Sequence, residues 1–192
     1  MIRLEPIRHL VVVLISLVLT GCALSPVPPA TQPSGVTQQL LMRSLERALA
    51  KLDIERLKTQ TVTVEVFHHA GPDALVKEFI VSWLKAHGAR VVPAAPDLKV
   101  KAFAGVLGTD NDQALIGIPA FQAPVVNIPV PEIAIFKWQR SHGVAELRLY
   151  EFDGQTEEIV NATPISTGRA KFDKYTVLLF IGFTVSDVDK HE

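Results

Sequence analysis

The sequence predicts an α+β fold, two helices packed on a mixed sheet, with one βαβ unit followed by an antiparallel meander. Three observations carry that expectation. Apolar residues recur at helical spacing between residues 37 and 57; a strand, a helix and a second strand follow one another between residues 60 and 93; and the second half of the chain alternates apolar and polar residues in short runs bounded by turn residues.

In order along the chain, TQQLLMRSLERALAKLDIERL places Leu41, Leu45, Ala48, Leu49 and Leu52 on one helical face, with Arg43, Glu46, Arg47 and Lys51 mostly opposite and Thr37 as the N-cap. The polar face mixes both charge signs, so the apolar face is expected against a sheet rather than a bilayer. QTVTVEVF alternates Val62, Val64 and Val66 with Thr61, Thr63 and Glu65, the period of a strand. After Gly71 and Pro72, DALVKEFIVSWLKAH reads as the second helix, closed by Gly88, because glycine enters a left-handed cap without a Cβ clash. ARVVP is a short strand, and a strand, helix, strand succession predicts two parallel strands joined by a right-handed crossover. DLKVKAFAGVL, EIAIFKWQR and GVAELRLYEF supply the meander, with turns at Ser141-His142-Gly143 and Asp153-Gly154. YTVLLFIGFTV, residues 175–185, is expected as a buried strand: a bilayer-crossing helix needs about 20 apolar residues, and the β-branched content suits a sheet.

The chain has 192 residues, 48% of them apolar, enough for one domain with a real core, expected over residues 36–188. A net charge of −1 without any long block of like charge argues against nucleic acid and against a polybasic membrane contact. Cys22 is the single cysteine, so no disulfide forms within one chain and packing alone must hold the fold.

The opening is organised differently. MIRLEPIRH carries Arg3 and Arg8, and LVVVLISLVL from Leu10 to Leu19 follows without a charge, the order of a secretory leader. The apolar run is about half of the roughly 20 residues a permanent helical span requires. Leu19-Thr20-Gly21-Cys22 then resembles the lipobox of bacterial lipoproteins. The resemblance covers the first 22 residues and implies a signal peptide over residues 1–21, cleavage between Gly21 and Cys22, a diacylglycerol on the Cys22 sulfur and acylation of the freed amino group. Several acyl chains on one residue make a lasting anchor, since each buried methylene contributes about 0.8 kcal/mol while a single chain binds only marginally. Ala23 in place of the aspartate that marks inner-membrane retention in such lipoproteins implies the periplasmic face of the outer membrane. Residues 22–35, with Pro26, Pro28, Pro29 and Pro33, read as a semi-rigid extended tether.

For function, the run QALIGIPAFQAPVVNIPVP between Asp112 and Glu132 carries no charge and four prolines, at 119, 124, 129 and 131, which argue against a regular element. It either folds over the core or forms an interaction surface through Ile116, Ile118, Phe121, Val125, Val126 and Ile128. His68 and His69 are adjacent on a strand end and point to opposite faces, so they read as solvated histidines rather than a metal pair. Asp110-Asn111-Asp112 lacks the glycine and distal glutamate of a calcium loop and reads as a polar turn. Asn161-Ala162-Thr163 matches a glycosylation sequon, followed by Pro164. Ser141-His142 is more simply a turn than part of a triad, and no nucleotide-binding motif or nucleophile elbow is present, so no catalytic residue, metal or cofactor is assigned.

Thr37-Gln38-Gln39-Leu40-Leu41, Gly117-Ile118-Pro119-Ala120 and Ile128-Pro129-Val130-Pro131-Glu132-Ile133 together resemble a group of bacterial envelope lipoproteins without an assigned activity. More remotely, the helix followed by βαβ is similar to small envelope lipoproteins of the curli-secretion and penicillin-binding-protein-activator type. Neither resemblance carries over a catalytic residue. The expectation is a lipid-anchored, non-catalytic envelope module that binds the membrane through its anchor and contacts another envelope protein or itself. The alternative is an enzyme acting on an envelope polymer or lipid.

Overall fold

The computed structural model describes residues 34–69, 73–123 and 129–188. Gly21, Cys22, the proline-rich tether up to residue 33, Gly71, Pro72, Val125, Val126 and Ile128 lie outside them, while Ser34 and Gly35, expected at the end of the tether, belong to the start of the first helix. The fold is mixed and sheet-dominated: α1 (Gly35–Leu49), α2 (Glu55–Thr59), β1 (Thr61–His68), α3 (Asp73–Ala86), β2 (Arg90–Val91), β3 (Leu98–Ile118), β4 (Phe121–Gln122), β5 (Pro129–Val130), β6 (Ile133–Asp153), β7 (Ile159–Ala162), β8 (Ser166–Val177) and β9 (Ile181–Ser186). Among the described residues, the main sheet runs β2-β1-β3-β6-β8-β9 with β7 paired to β6, while β4 and β5 form a separate two-stranded sheet. The β1–β2 and β1–β3 pairs are parallel and the β6–β7 pair antiparallel.

The chain divides into two compact units. The larger comprises residues 32–110, 141–172 and 186–192. Its core gathers Leu45, Ala48 and Leu49 of α1, Leu57 of α2, Ile80 and Leu84 of α3, and Val62, Val100, Ala102, Leu147 and Leu149 of the strands. Helix α1 starts earlier than the sequence suggests. Ser34, not Thr37, is the N-cap, its hydroxyl oxygen accepting from the Thr37 amide at 3.2 Å. Leu45, Ala48, Leu49 and Leu52 are buried as expected, but Leu40 rather than Leu41 completes the face, packed against Ala170 and Val188. The helix also stops at Leu49 instead of running on to Leu57. The Asp53 carboxylate accepts from the Glu55 amide at 3.1 Å and restarts the chain as the one-turn α2, a competition for backbone donors typical of aspartate.

Helix α1 sits directly on the sheet backbone. A Cβ on Gly143 would collide with the Leu40 carbonyl, and one on Gly168 with the Ser44 carbonyl and the Ala48 amide. This corrects the turn expected at Ser141-His142-Gly143: β6 runs unbroken through it, and the glycine serves close helix approach rather than chain reversal. Asp153-Gly154 is a turn as expected. The Asp153 carboxylate accepts from the Gln155 and Thr156 amides, which hold it below the usual carboxylate range. Gly88 closes α3 with φ of 97°.

Asp97 ties the start of β1 to the segment before β3. Its carboxylate accepts from the Thr61 hydroxyl at 2.6 Å and the Thr61 amide at 2.7 Å, and these bonds hold the carboxyl below its ordinary value. Because the folded value is depressed, the contribution is present above the unfolded pKa and lost as pH falls through the folded one. Asp97→Asn is expected to lower the urea midpoint at pH 7, with the gap to wild type closing in acid; a gap unchanged down to pH 2 would contradict the ionised pairing.

The smaller unit comprises residues 111–140 and 173–185 of the described chain. Here the sequence expectations need the most correction. Asp110-Asn111-Asp112 is not a turn, because β3 continues through it with these side chains exposed. The segment after it is partly regular: the strand ends at Ile118 just before Pro119, and Pro129 occupies the first position of β5, where a missing N–H costs least. Tyr175–Val185 is not a buried strand. It folds back at Leu178–Phe180 as a hairpin of β8 and β9 whose tip and return strand are exposed.

Candidate functional site: an exposed apolar surface

In the larger unit, three surface clefts present chemistry, and each is accounted for structurally. One of about 870 Å³ is lined by Arg43, Arg47, Lys51, Trp83 and His87. Its cations hold backbone carbonyls: Arg43 donates to Val188 at 2.7 Å, Arg47 to Arg169 at 2.7 Å and Asp187 at 2.8 Å, and Lys51 to Thr167 at 2.8 Å. Arg47 also pairs with the Asp187 carboxylate at 3.2 Å. These bonds stitch α1 to β8 and to the chain after β9 rather than waiting for an anion.

A second cleft, about 680 Å³, collects Phe67, His68, His69, Lys77 and Phe103 at the end of β1. His68 is half-buried as the last residue of β1 and His69 is exposed beyond it, so the two are presented differently, as adjacent strand positions require. Among the described residues no group of three or more His, Cys, Asp or Glu is placed to hold a metal. A third, about 650 Å³, lies over a ladder of rings: Phe67 stacks on Phe103 at 4.8 Å, Phe103 meets Tyr150 edge-on at 5.5 Å, and Lys101 and Arg148 lie over Phe152 and Tyr150. Such pairs stiffen a solvated sheet face by cross-strand contact.

The remaining sequence candidates are similarly occupied or dispersed. Asn161 donates to the buried Glu151 carboxylate at 3.0 Å, and the Thr163 hydroxyl accepts from the Leu149 amide at 2.9 Å, so both ends of the sequon belong to the fold. Ser141 and His142 are neighbours within β6, and adjacent strand residues face opposite sides of a sheet, an arrangement that keeps a hydroxyl and its base apart.

The smaller unit presents a different kind of surface. Among its described residues, Ala134 is the one apolar residue counted as buried. Its exposed residues include Ile116, Ile118 and Phe121 from the expected surface, and also Ile133 and Ile135 of β6 and Leu178, Leu179, Phe180, Ile181, Phe183 and Val185 of the hairpin. Ile116 is 61% and Phe180 81% exposed, values that leave these side chains facing water unless something covers them. Phe121 pairs across to Val130 in the β4–β5 ladder. The hairpin tip is fixed by the Leu178 amide donating to the Ile135 carbonyl at 2.8 Å and the Leu179 amide donating to Ala134 at 2.9 Å. Gly117 makes the approach of β3 to β6 possible, since a Cβ there would strike the Ile133 carbonyl. On one side of the unit Tyr175 stacks on Phe183 at 4.9 Å, while Arg140 lies over Trp138 at 4.1 Å and 3.7 Å from the Asp173 carboxylate.

No family model matches the chain, and no curated protein matches it. The site therefore stands on its own geometry.

Three of the six expected surface residues are thus placed on one exposed unit, and Val125, Val126 and Ile128 fall outside the described residues. Sequence reasoning missed the hairpin, which adds Leu178, Leu179, Phe180, Ile181, Phe183 and Val185 to the exposed apolar residues. Its signal was available as an eleven-residue uncharged stretch, residues 175–185, but that pattern fits a buried strand equally well. No described helix is long and apolar enough to cross a membrane.

Proposed function

We propose that this chain is a lipid-anchored protein of the bacterial envelope that acts without catalysis, docking the apolar surface of its smaller unit against another component of the envelope. The observation that carries the reading is that unit itself. Among its described residues no large apolar side chain is fully buried and many are exposed, and contiguous exposed apolar patches on soluble proteins mark contact surfaces. The larger unit, in which helices α1 and α3 supply the core against one sheet, serves as the rigid support. Cys22, carrying its acyl chains and freed from residues 1–21, would tether that support to the outer membrane through the proline-rich strip.

Two measurements test it. Intact-mass analysis of protein purified from its host is expected to give a chain beginning at Cys22 and carrying acyl groups; a bare thiol or a retained leader refutes the anchoring. Crosslinking in intact envelopes is expected to trap a complex that Ile116→Glu combined with Phe121→Glu removes, without loss of folded signal in circular dichroism. An unchanged complex would exclude these side chains from the contact.

A further inference from the structure

The tip of the β8–β9 hairpin is a wedge without a polar side chain. Leu178, Leu179, Phe180 and Ile181 follow one another in the chain, and all four are exposed. Their main chain is already committed: the Leu178 and Leu179 amides donate to the Ile135 and Ala134 carbonyls, and the Phe180 amide donates to the Leu178 carbonyl at 2.9 Å. Behind the tip the surface turns aromatic. Tyr175, three residues before Leu178 and so about 10 Å down the strand, stacks on Phe183, and Trp138 lies three residues beyond Ile135 on β6. Charge is balanced there. Among the described residues of the unit, Lys137, Arg140 and Lys174 stand against Asp112, Glu132 and Asp173, with Lys137 donating to Glu132 at 2.8 Å and Arg140 lying 3.7 Å from Asp173.

We propose that this tip enters a lipid bilayer, with Leu178 to Ile181 among the acyl chains and Tyr175, Phe183 and Trp138 at the level of the headgroups. This rests on the proposed function and names the bilayer as what meets this part of the contact surface. Hydrocarbon accepts a segment only when its backbone donors are satisfied within the protein, and the amides of residues 178, 179 and 180 are. The same feature makes a protein partner the poorer cover, because neither those amides nor the four side chains offer it a hydrogen bond. An apolar layer backed by tyrosine and tryptophan matches the order of a membrane interface, and about 10 Å is the depth to which elements lying on a bilayer reach. The balanced charges leave apolar burial, not attraction to anionic headgroups, as the driving term. Insertion holds the unit at the bilayer where its partner is met, so the envelope complex depends on the tip as well.

The test uses the full chain purified from its host and reconstituted into vesicles of phosphatidylethanolamine and phosphatidylglycerol, with no partner present. Phe180→Cys is labelled with an environment-sensitive nitrobenzoxadiazole dye, and peptide mass verifies that the dye sits at position 180 rather than at Cys22. Its emission is expected to shift to shorter wavelength and to be quenched by nitroxides carried on the acyl chains, while the same dye on Lys85→Cys of α3 shows neither effect. Adding Leu179→Asp is expected to move the insertion equilibrium at least about tenfold toward water, the weight of one large apolar side chain, with circular dichroism unchanged. A label at 180 that stays water-like in vesicles overturns the proposal. If Leu179→Asp then still removes the crosslinked envelope complex, the tip belongs to a protein contact and the proposed function stands. A shifted label that escapes the acyl-chain quencher, and whose shift fades as the protein is diluted in lipid, would make a second copy the cover and overturn the proposal too. Quenching that persists while Ile116→Glu with Phe121→Glu leaves the complex intact keeps the tip in lipid and removes those two side chains from the partner contact.

Discussion

Replacing Gly168 by leucine is expected to abolish the folded helix–sheet core. The position is in β8, and even a single Cβ there would meet the Ser44 carbonyl and the Ala48 amide, both backbone atoms of α1. The helix cannot easily withdraw. The Ser166 hydroxyl donates to the Ala48 carbonyl at 2.5 Å, Lys51 and Arg47 hold the Thr167 and Arg169 carbonyls on either side of the glycine, and Leu45, Ala48 and Leu49 are fully buried. Overpacking a core typically costs about 1–3 kcal/mol and more where backbone must shift. Against a total stability of about 5–15 kcal/mol, a leucine that pushes α1 off the sheet removes most of what holds the domain. Gly168→Ala is expected to act in the same direction by at least about 2 kcal/mol, read as a lowered urea midpoint. A Gly168→Ala midpoint equal to wild type would mean that α1 does not lie on β8.

That glycine illustrates what was and was not legible in the sequence. The βαβ unit was, because Val62, Val64 and Val66 carry the strand period, Gly88 supplies the left-handed cap and the intervening helix has a continuous apolar face. Turn chemistry misled elsewhere. Gly143 and Gly168 are recruited for close approach of a helix, so reading Ser141-His142-Gly143 as a reversal assigned a tertiary role to local geometry. The reverse error occurred at the β8–β9 hairpin: its connection contains no Gly, Pro, Asn or Asp, and a turn built from leucines leaves no local signal. The candidate surface was half legible for the same reason. An uncharged run with prolines announces an unusual apolar segment, but which of Ile116, Ile118 and Phe121 face water depends on β3 continuing to Ile118, a fact of strand pairing rather than of composition.

Converting the hairpin tip to Leu178→Asn with Leu179→Gly is expected to stabilise the chain while weakening the proposed contact with another envelope component. Leu178 and Leu179 sit at φ of 49° and 73°, the left-handed region that costs a residue with a Cβ roughly 1–2 kcal/mol. Asparagine and glycine are the residues that tight hairpin connections favour there, and glycine's extra chain entropy offsets only about 0.5–1 kcal/mol. The backbone bonds from residues 178 and 179 to the Ile135 and Ala134 carbonyls need no side chain and are retained. A net gain of about 1–2 kcal/mol is expected in urea unfolding. Two strained leucines, each more than half exposed, bury little within the fold, and the proposed contact surface would give them a role at the tip. The expected signature is therefore a rise in the urea midpoint together with loss of the crosslinked complex. A rise with the complex intact would remove the tip from the contact surface, and a fall in stability would show that the leucines pack within the unit and that the left-handed geometry carries no strain.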